Sequence, residues 1–258
     1  MKKFILDLRV TENIRLHDRY VLLKMTHEQP LPDMCPGQFA QIRVDESPNT
    51  FLRRPISINF VDKEVNEVWF LVQIVGDGTR KLSEIAPNSL VNVILPLGNT
   101  FTIVNSTDKH YLLVGGGVGT APLLYLGKIL KDKGFKPDFL LGARSANDLL
   151  QLDMFQSIGN VYTTTEDGSY GEKGFVTQHS ILQQKKYDRI CTCGPTPMMM
   201  AVAKFAKEKG IECEASLENS MACGIGACLC CVENTTEGNL CVCKEGPVFN
   251  TNRLLWQI

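Results

Sequence analysis

Over the first hundred residues the apolar positions come in short runs with a period of two. Phe39, Gln41 and Arg43 alternate with Ala40, Ile42 and Val44, the pattern of a strand with one buried face. Strand-like runs recur at 3–10, 20–24, 38–44, 57–60, 68–75 and 90–95. Turn formers such as Cys35-Pro36-Gly37 and Pro87-Asn88 separate them. Short strands at this spacing predict a small closed antiparallel barrel over residues 1–101. Within it, Gly76-Asp77-Gly78-Thr79 reads as a turn opening a short helix, with Thr79 as its N-cap.

Near residue 102 the period changes. An apolar strand at 110–114 runs into Gly115-Gly116-Gly117-Val118-Gly119-Thr120, then a helix over 122–133 closed by Gly134. Further strands are expected at 138–141, 160–164 and 188–191. Helices are expected near 147–157, 174–183 and 197–209, the last with Thr196 as N-cap. Its stripe of Met198, Val202 and Phe205 reads as core rather than cofactor contact. Strands alternating with helices predict a doubly wound parallel sheet over 102–212. The fold class is therefore α/β plus β-barrel, followed by a cysteine-rich region over 213–258. The apolar tail 254–258 is expected to pack on the chain or to meet a partner.

Composition narrows the function. A net charge of −1 over 258 residues argues against a nucleic-acid partner. No apolar run reaches membrane-spanning length. The first residues, interrupted by Asp7 and Arg9, do not read as an export signal. Ten cysteines in such a chain point to a reducing cytoplasm and a metal centre.

Cys223, Cys228, Cys231 and Cys243 have the spacing C-x4-C-x2-C with a distant fourth, as in plant-type 2Fe–2S proteins. Gly224, Gly226 and Ala227 leave room for the backbone to close around a cluster. Cys243 is preferred to Cys241 as fourth ligand, and Cys230 is left out. A zinc site remains an alternative, although zinc pairs are usually closer spaced. A disulfide framework and a Rieske centre fit less well, the latter because no histidine follows His179.

Two further features suggest phosphate. Arg53 and Arg54 stand in an otherwise apolar strand, either as solvated edge residues or as forks for an anion. The glycine loop occupies the dinucleotide position of a parallel sheet, but Thr120 replaces the third glycine of the usual fingerprint. No acidic ribose ligand is evident after the next strand. Cys193-Gly194-Pro195 ends the last parallel strand, where open sheets bind ligands.

Taken together, these motifs resemble the ferredoxin–NADP reductase superfamily. More narrowly they resemble its family of electron-transfer subunits of class B, NAD-dependent dihydroorotate dehydrogenases. The resemblance covers the whole chain. It rests on Arg53-Arg54-Pro55-Ile56-Ser57, Gly78-Thr79, Pro96-Leu97-Gly98-Asn99, Gly115-Gly116-Gly117-Val118-Gly119, Asp167-Gly168-Ser169-Tyr170-Gly171, Cys193-Gly194-Pro195-Thr196-Pro197-Met198 and Met221-Ala222-Cys223-Gly224-Ile225-Gly226-Ala227-Cys228. Cys243-Lys244-Glu245-Gly246-Pro247 adds a more specific marker.

The resemblance implies an FAD barrel, an NAD sheet and a 2Fe–2S region. It implies that Arg54 holds the FAD pyrophosphate, with Gly78 and Thr79, and that Pro55, Ile56, Leu71, Val72 and Gln73 line the flavin. It gives Ser57 and Cys193 catalytic positions. It assigns NAD to Gly115, Gly116, Gly117, Gly119, Thr120, Gly194 and Pro195. It implies an FMN-containing catalytic partner in a heterotetramer, with electrons passing from FMN through 2Fe–2S and FAD to NAD in pyrimidine biosynthesis. Two other readings stay open: the small subunit of a ferredoxin:NAD(P) oxidoreductase, and a non-enzymatic zinc-binding scaffold.

Overall fold

The computed structural model describes residues 2–45, 47 and 49–256. The first element, β1 (Phe4–His17), is followed by β2 (Tyr20–Thr26), β3 (Phe39–Ile42), β4 (Arg54–Asp62) and β5 (Glu67–Gln73). After α1 (Asp77–Ser83), β6 (Leu90–Leu97) closes an antiparallel barrel in the order β1-β2-β5-β4-β3-β6. Alternation turns Leu8, Val10, Leu23, Met25, Ala40, Ile42, Ile58 and Val93 into its core.

The second half contains β7 (Tyr111–Gly116), α2 (Ala121–Asp132), β8 (Asp138–Ala143), α3 (Leu152–Ile158), β9 (Asn160–Thr165), β10 (Glu172–Lys173), α4 (Ile181–Gln184), β11 (Arg189–Cys193), α5 (Thr196–Lys209) and β12 (Glu212–Ser216). Then come the hairpin β13 (Val232–Thr235) and β14 (Gly238–Cys241), α6 (Val242–Glu245) and β15 (Val248–Asn250). One sheet runs β10-β9-β8-β7-β11-β12-β15. All its pairs are parallel except β12 with β15. Every residue of β7 is buried, as in a central strand covered on both faces. The cysteine region is thus not set apart at 212: β12 begins there, and β15 returns to pair with it.

The barrel and the sheet meet through a reciprocal amide pair. The amide of Asn59 on β4 donates to the Ala121 carbonyl and to Gln151 Oε1, each at 3.1 Å. Gln151 Nε2 donates back to Asn59 Oδ1 at 3.1 Å.

Several local expectations are corrected. Gly76, not Thr79, is the N-cap of α1. Thr79 is the third helical residue, and its hydroxyl reaches back to accept from the Val75 and Gly76 N–H groups at 2.9 and 3.1 Å. Thr196 is the first residue of α5, not its cap. The helix expected near 147 starts only at Leu152, because Gln151 adopts a left-handed conformation (φ 56°) to reach Asn59. The helix expected over 174–183 is a 3-10 turn at Val176–Gln178 and the single turn α4. Extended His179 separates them, its Nδ1 accepting from the Ile181 N–H at 3.0 Å. In the tail, Leu254 is buried, Leu255 exposed and Trp256 packed beside the buried cysteines; residues 257 and 258 lie outside the described residues. No helix among the described residues is long and apolar enough to cross a membrane.

Candidate cofactor and metal site

The adjacent arginines have different fates. Arg53 Nη1 donates to the carbonyls of Asn92 (2.9 Å) and Gln41 (3.3 Å), and Nη2 to Asn92 Oδ1 (2.5 Å), so this guanidinium ties barrel strands together. Arg54 opens β4 and lies over the turn of α1. A Cβ added at Gly78 would sit 2.4 Å from Arg54 Nε. Among the described residues, Arg54 has no carboxylate partner and donates only to the Arg53 carbonyl, at 3.4 Å. Thr79 makes the facing turn rigid. This is an uncommitted cation beside backbone, which suits a phosphate.

Pro55, Ile56 and Ser57 follow on β4, paired with Gln41, Ala40 and Phe39 of β3. Directly paired residues share a face, so Ser57 and Pro55 stand outside the barrel with Phe39 and Gln41, while Ile56 packs on the core. On β5, Val72 is in the barrel core and Leu71 packs with Tyr20 and Ala121. These two offer a ligand backbone only. The Gln73 side chain faces the cleft, donating to the Tyr20 hydroxyl at 3.3 Å.

That cleft, of about 580 Å³, lies between barrel and sheet. Arg19, Tyr20 and Gln73 form one wall; Gly116, Gly117, Arg144, Pro195 and Met198 contribute to the other. It opens at the C-terminal ends of the parallel strands, the ligand end of such sheets. Arg19 and Asp148 pair across it at 2.7 Å.

The expected dinucleotide residues divide into two sorts. Gly116, Gly117 and Pro195 line the cleft. Gly115, Gly119, Thr120 and Gly194 shape the loop instead. A Cβ at Gly119 would fall 2.4 Å from the Gly194 Cα, and one at Gly115 2.8 Å from Thr120 Cγ2. The Thr120 hydroxyl closes the loop onto the Gly117 carbonyl at 3.0 Å, which explains its place in the motif. Met198, expected in the core, packs against it and also reaches the cleft, its sulfur standing 2.5 Å from where a Gly116 Cβ would be. Val202 and Phe205 pack inward as expected.

Cys193 is buried at the end of β11, its thiol 3.8 Å from Glu218 Oε1. Burial, then the Glu218 charge, pushes this thiol well above its ordinary range. Glu218 opens to the cleft yet is crowded by protein. Desolvation raises its carboxyl, and the Cys193 contact partly opposes that. Glu218 and Glu166, which also lines the cleft, were missed from sequence. Each follows the C-terminal end of a sheet strand, a position signal that would have found them. The Asp138 carboxylate lies at the opposite end, held by Asn160, Lys185 and Tyr187 at 2.8, 2.9 and 2.9 Å.

The cysteine loop turns through left-handed residues at Gly224 (φ 70°), Gly226 (φ 85°) and Leu229 (φ 58°). These turns aim backbone N–H groups at sulfur. Ile225, Ala227 and Cys228 donate to Cys223 Sγ at 3.4, 3.3 and 3.4 Å. Gly226 donates to Cys243 Sγ at 3.1 Å, and Cys243 to Cys231 Sγ at 3.3 Å. Thiols fall in two pairs, Cys223 with Cys228 and Cys231 with Cys243.

Against desolvation, the N–H groups and the Cys228 thiol draw Cys223 down to about 6. Burial, then the Cys231 thiol, pushes Cys243 up to about 12. Among the described residues no group of three or more His, Cys, Asp or Glu is placed to hold a single ion. Two cysteine pairs with N–H donors fit a two-iron cluster. Cys230 is exposed, its thiol directed at the Ser220 carbonyl at 3.7 Å. Cys241 donates its N–H to Glu245 at 3.0 Å.

Residues 218–255 match the family described as the iron–sulfur cluster binding domain of dihydroorotate dehydrogenase B. Residues 113–204 match the oxidoreductase NAD-binding domain. The dihydroorotate dehydrogenase B (NAD(+)) electron transfer subunit of Clostridium perfringens is 40% identical over 94% of both chains. Its counterpart from Shouchella clausii is also 40% identical, over 83% of this chain and 84% of that one. Among solved structures, a chain of the NADH-dependent reduced ferredoxin-NADP oxidoreductase, studied for flavin-based electron bifurcation, has a TM-score of 0.86. It is 29% identical and covers 97% of this chain and 90% of its own.

Proposed function

This chain belongs to the family of dihydroorotate dehydrogenase B electron transfer subunits, and from that premise we propose that it carries electrons from an FMN-containing catalytic subunit, through a 2Fe–2S cluster and FAD, to NAD. The supporting observation is the sorting of Cys223, Cys228, Cys231 and Cys243 into two N–H-ligated pairs. The loop that carries them lies on the barrel face that bears Ser57.

Bound FAD supplies the conversion between single electrons and hydride. The chain's residues bind and orient. Arg54 takes the pyrophosphate, with Gly78 leaving space for its guanidinium and Thr79 fixing the turn. Ser57 holds the flavin edge beside Pro55, with Ile56 offering its backbone. Leu71 and Val72 offer backbone, and Gln73 its amide. Gly116, Gly117 and Pro195 receive NAD, on a loop shaped by Gly115, Gly119, Thr120 and Gly194. Cys193, with Glu218 against it, would serve hydride transfer. Residues 1–101 would thus serve FAD, 102–212 NAD and 213–258 the cluster. The working assembly is a cytoplasmic heterotetramer of two catalytic and two electron-transfer subunits.

The purified chain should contain about two irons, two acid-labile sulfides and one FAD. It should oxidise NADH with artificial dyes but leave dihydroorotate untouched. With an FMN-containing partner it should support dihydroorotate-dependent NAD reduction. In Cys228→Ser protein that keeps FAD, the coupled reaction should stop while NADH–dye activity survives. Stoichiometric zinc without labile sulfide, or equal loss of both activities, would overturn the reading.

A further inference from the structure

Gln41 is fully buried, and neither atom of its side-chain amide has a hydrogen-bond partner among the described residues. Its position on β3 is informative. Ala40 and Ile42 enter the barrel core, whereas Phe39, on the same face as Gln41, packs with Cys231, Val242 and Cys243. Gln41 faces Pro55 across the ladder, and Phe39 faces Ser57. The amide therefore lies on the outer barrel face that carries the flavin strand.

The cysteine loop covers it from the other side. A Cβ at Gly224 would sit 2.6 Å from Gln41 Cγ and 2.8 Å from Nε2, and Gly224 directly follows Cys223. A primary amide brings two donors and an acceptor, and buried polar groups of this kind ordinarily find partners. The surrounding Phe39 and Pro55 supply none.

We propose that Gln41 is a positioning residue of the electron relay, its Nε2 donating to a sulfur of the cluster held by Cys223, Cys228, Cys231 and Cys243. The inference rests on the cluster reading above and adds a residue outside the cysteine loop. Hydrogen bonds to cluster sulfurs stabilise the more electron-rich reduced form. Gln41 accordingly makes the cluster easier to reduce, at the point where β3, the neighbour of the flavin strand, meets the loop.

The test uses the full chain with its cofactors. Gln41→Met keeps an unbranched side chain of similar length and removes the amide. It should retain iron and sulfide at the wild-type level. At a fixed potential its ratio of reduced to oxidised cluster should fall about tenfold, a shift of 59 mV for one electron. In wild-type protein labelled with 15N in glutamine side chains, pulsed EPR of the reduced cluster should give a 15N coupling that the variant lacks.

A fully loaded variant with an unchanged midpoint overturns this inference alone. If the variant does not fold, the wild-type spectrum decides, and the absence of a 15N coupling overturns it. Wild-type protein without iron and sulfide overturns the cluster reading and this inference together.

Discussion

Arg53 and Arg54 are chemically identical neighbours, and the structure gives them unrelated work. Arg53 is held by Asn92 and Gln41, while Arg54 lies against Gly78 and, among the described residues, makes only a long bond to its neighbour's carbonyl. Arg54→Ala should therefore release FAD and leave the fold intact. Losing a charge-assisted contact of about 1.5–3 kcal/mol lowers affinity on the order of tenfold to a hundredfold. Equilibrium dialysis followed by flavin fluorescence measures it; FAD retained in full would make Arg54 a surface cation only. The residue pattern left the arginines unsorted and only the family resemblance singled out Arg54, since the group that claims Arg53 is Asn92, on a strand that local pattern cannot bring near. The cysteine set was far more legible. Three of the proposed ligands lie within one nine-residue stretch, so their spacing is itself the geometry. Gln41 was read only as a polar position in a strand, because the loop that covers it lies nearly two hundred residues away.

Among the elements, strands were read more faithfully than helices. β7 is a continuous apolar run, as is β8 after Asp138, and burial in a parallel sheet demands that composition. The helix expected over 174–183 failed because Gly174 takes φ 126° and His179 turns its ring onto the following backbone. A hydrophobic period does not record such local competition. One connection deserves a measurement. Asn99, just past β6, donates to the carbonyls of Glu245 and Val248, each at 2.8 Å, and accepts from the Val248 N–H at 2.9 Å. It fastens the barrel to the segment after Cys243. Asn99→Ala should cost about 1–3 kcal/mol through orphaned backbone groups, read as a lower midpoint in thermal unfolding. Visible absorbance of the cluster should bleach ahead of the loss of far-ultraviolet ellipticity. Simultaneous loss would mean that Asn99 supports the fold as a whole rather than this junction.

At the scale of the molecule, three expected regions are joined more tightly than a linear division suggests. Asn59 and Gln151 lock barrel to sheet, Asn99 locks barrel to the last segment, and the cleft belongs to both halves. The division into barrel, sheet and cysteine region was legible because each has its own period or composition. That the third region rejoins the second was not, since β15 is only three residues long and pairs at a distance. That strand has a consequence for how the chain could be dismantled. Val248, Phe249 and Asn250 cover one side of β12, and Leu217, Ala215 and Phe39 pack beneath the same segment. A chain cut after Leu217 would keep its barrel and most of its sheet, but with bare hydrogen-bonding groups along β12 and a newly uncovered apolar patch. Exposed strands of that kind recruit further copies, so such a fragment should scatter light and elute as large species while the intact chain does not. The segment that brings in Cys243 would then also be what keeps one molecule from polymerising onto the next.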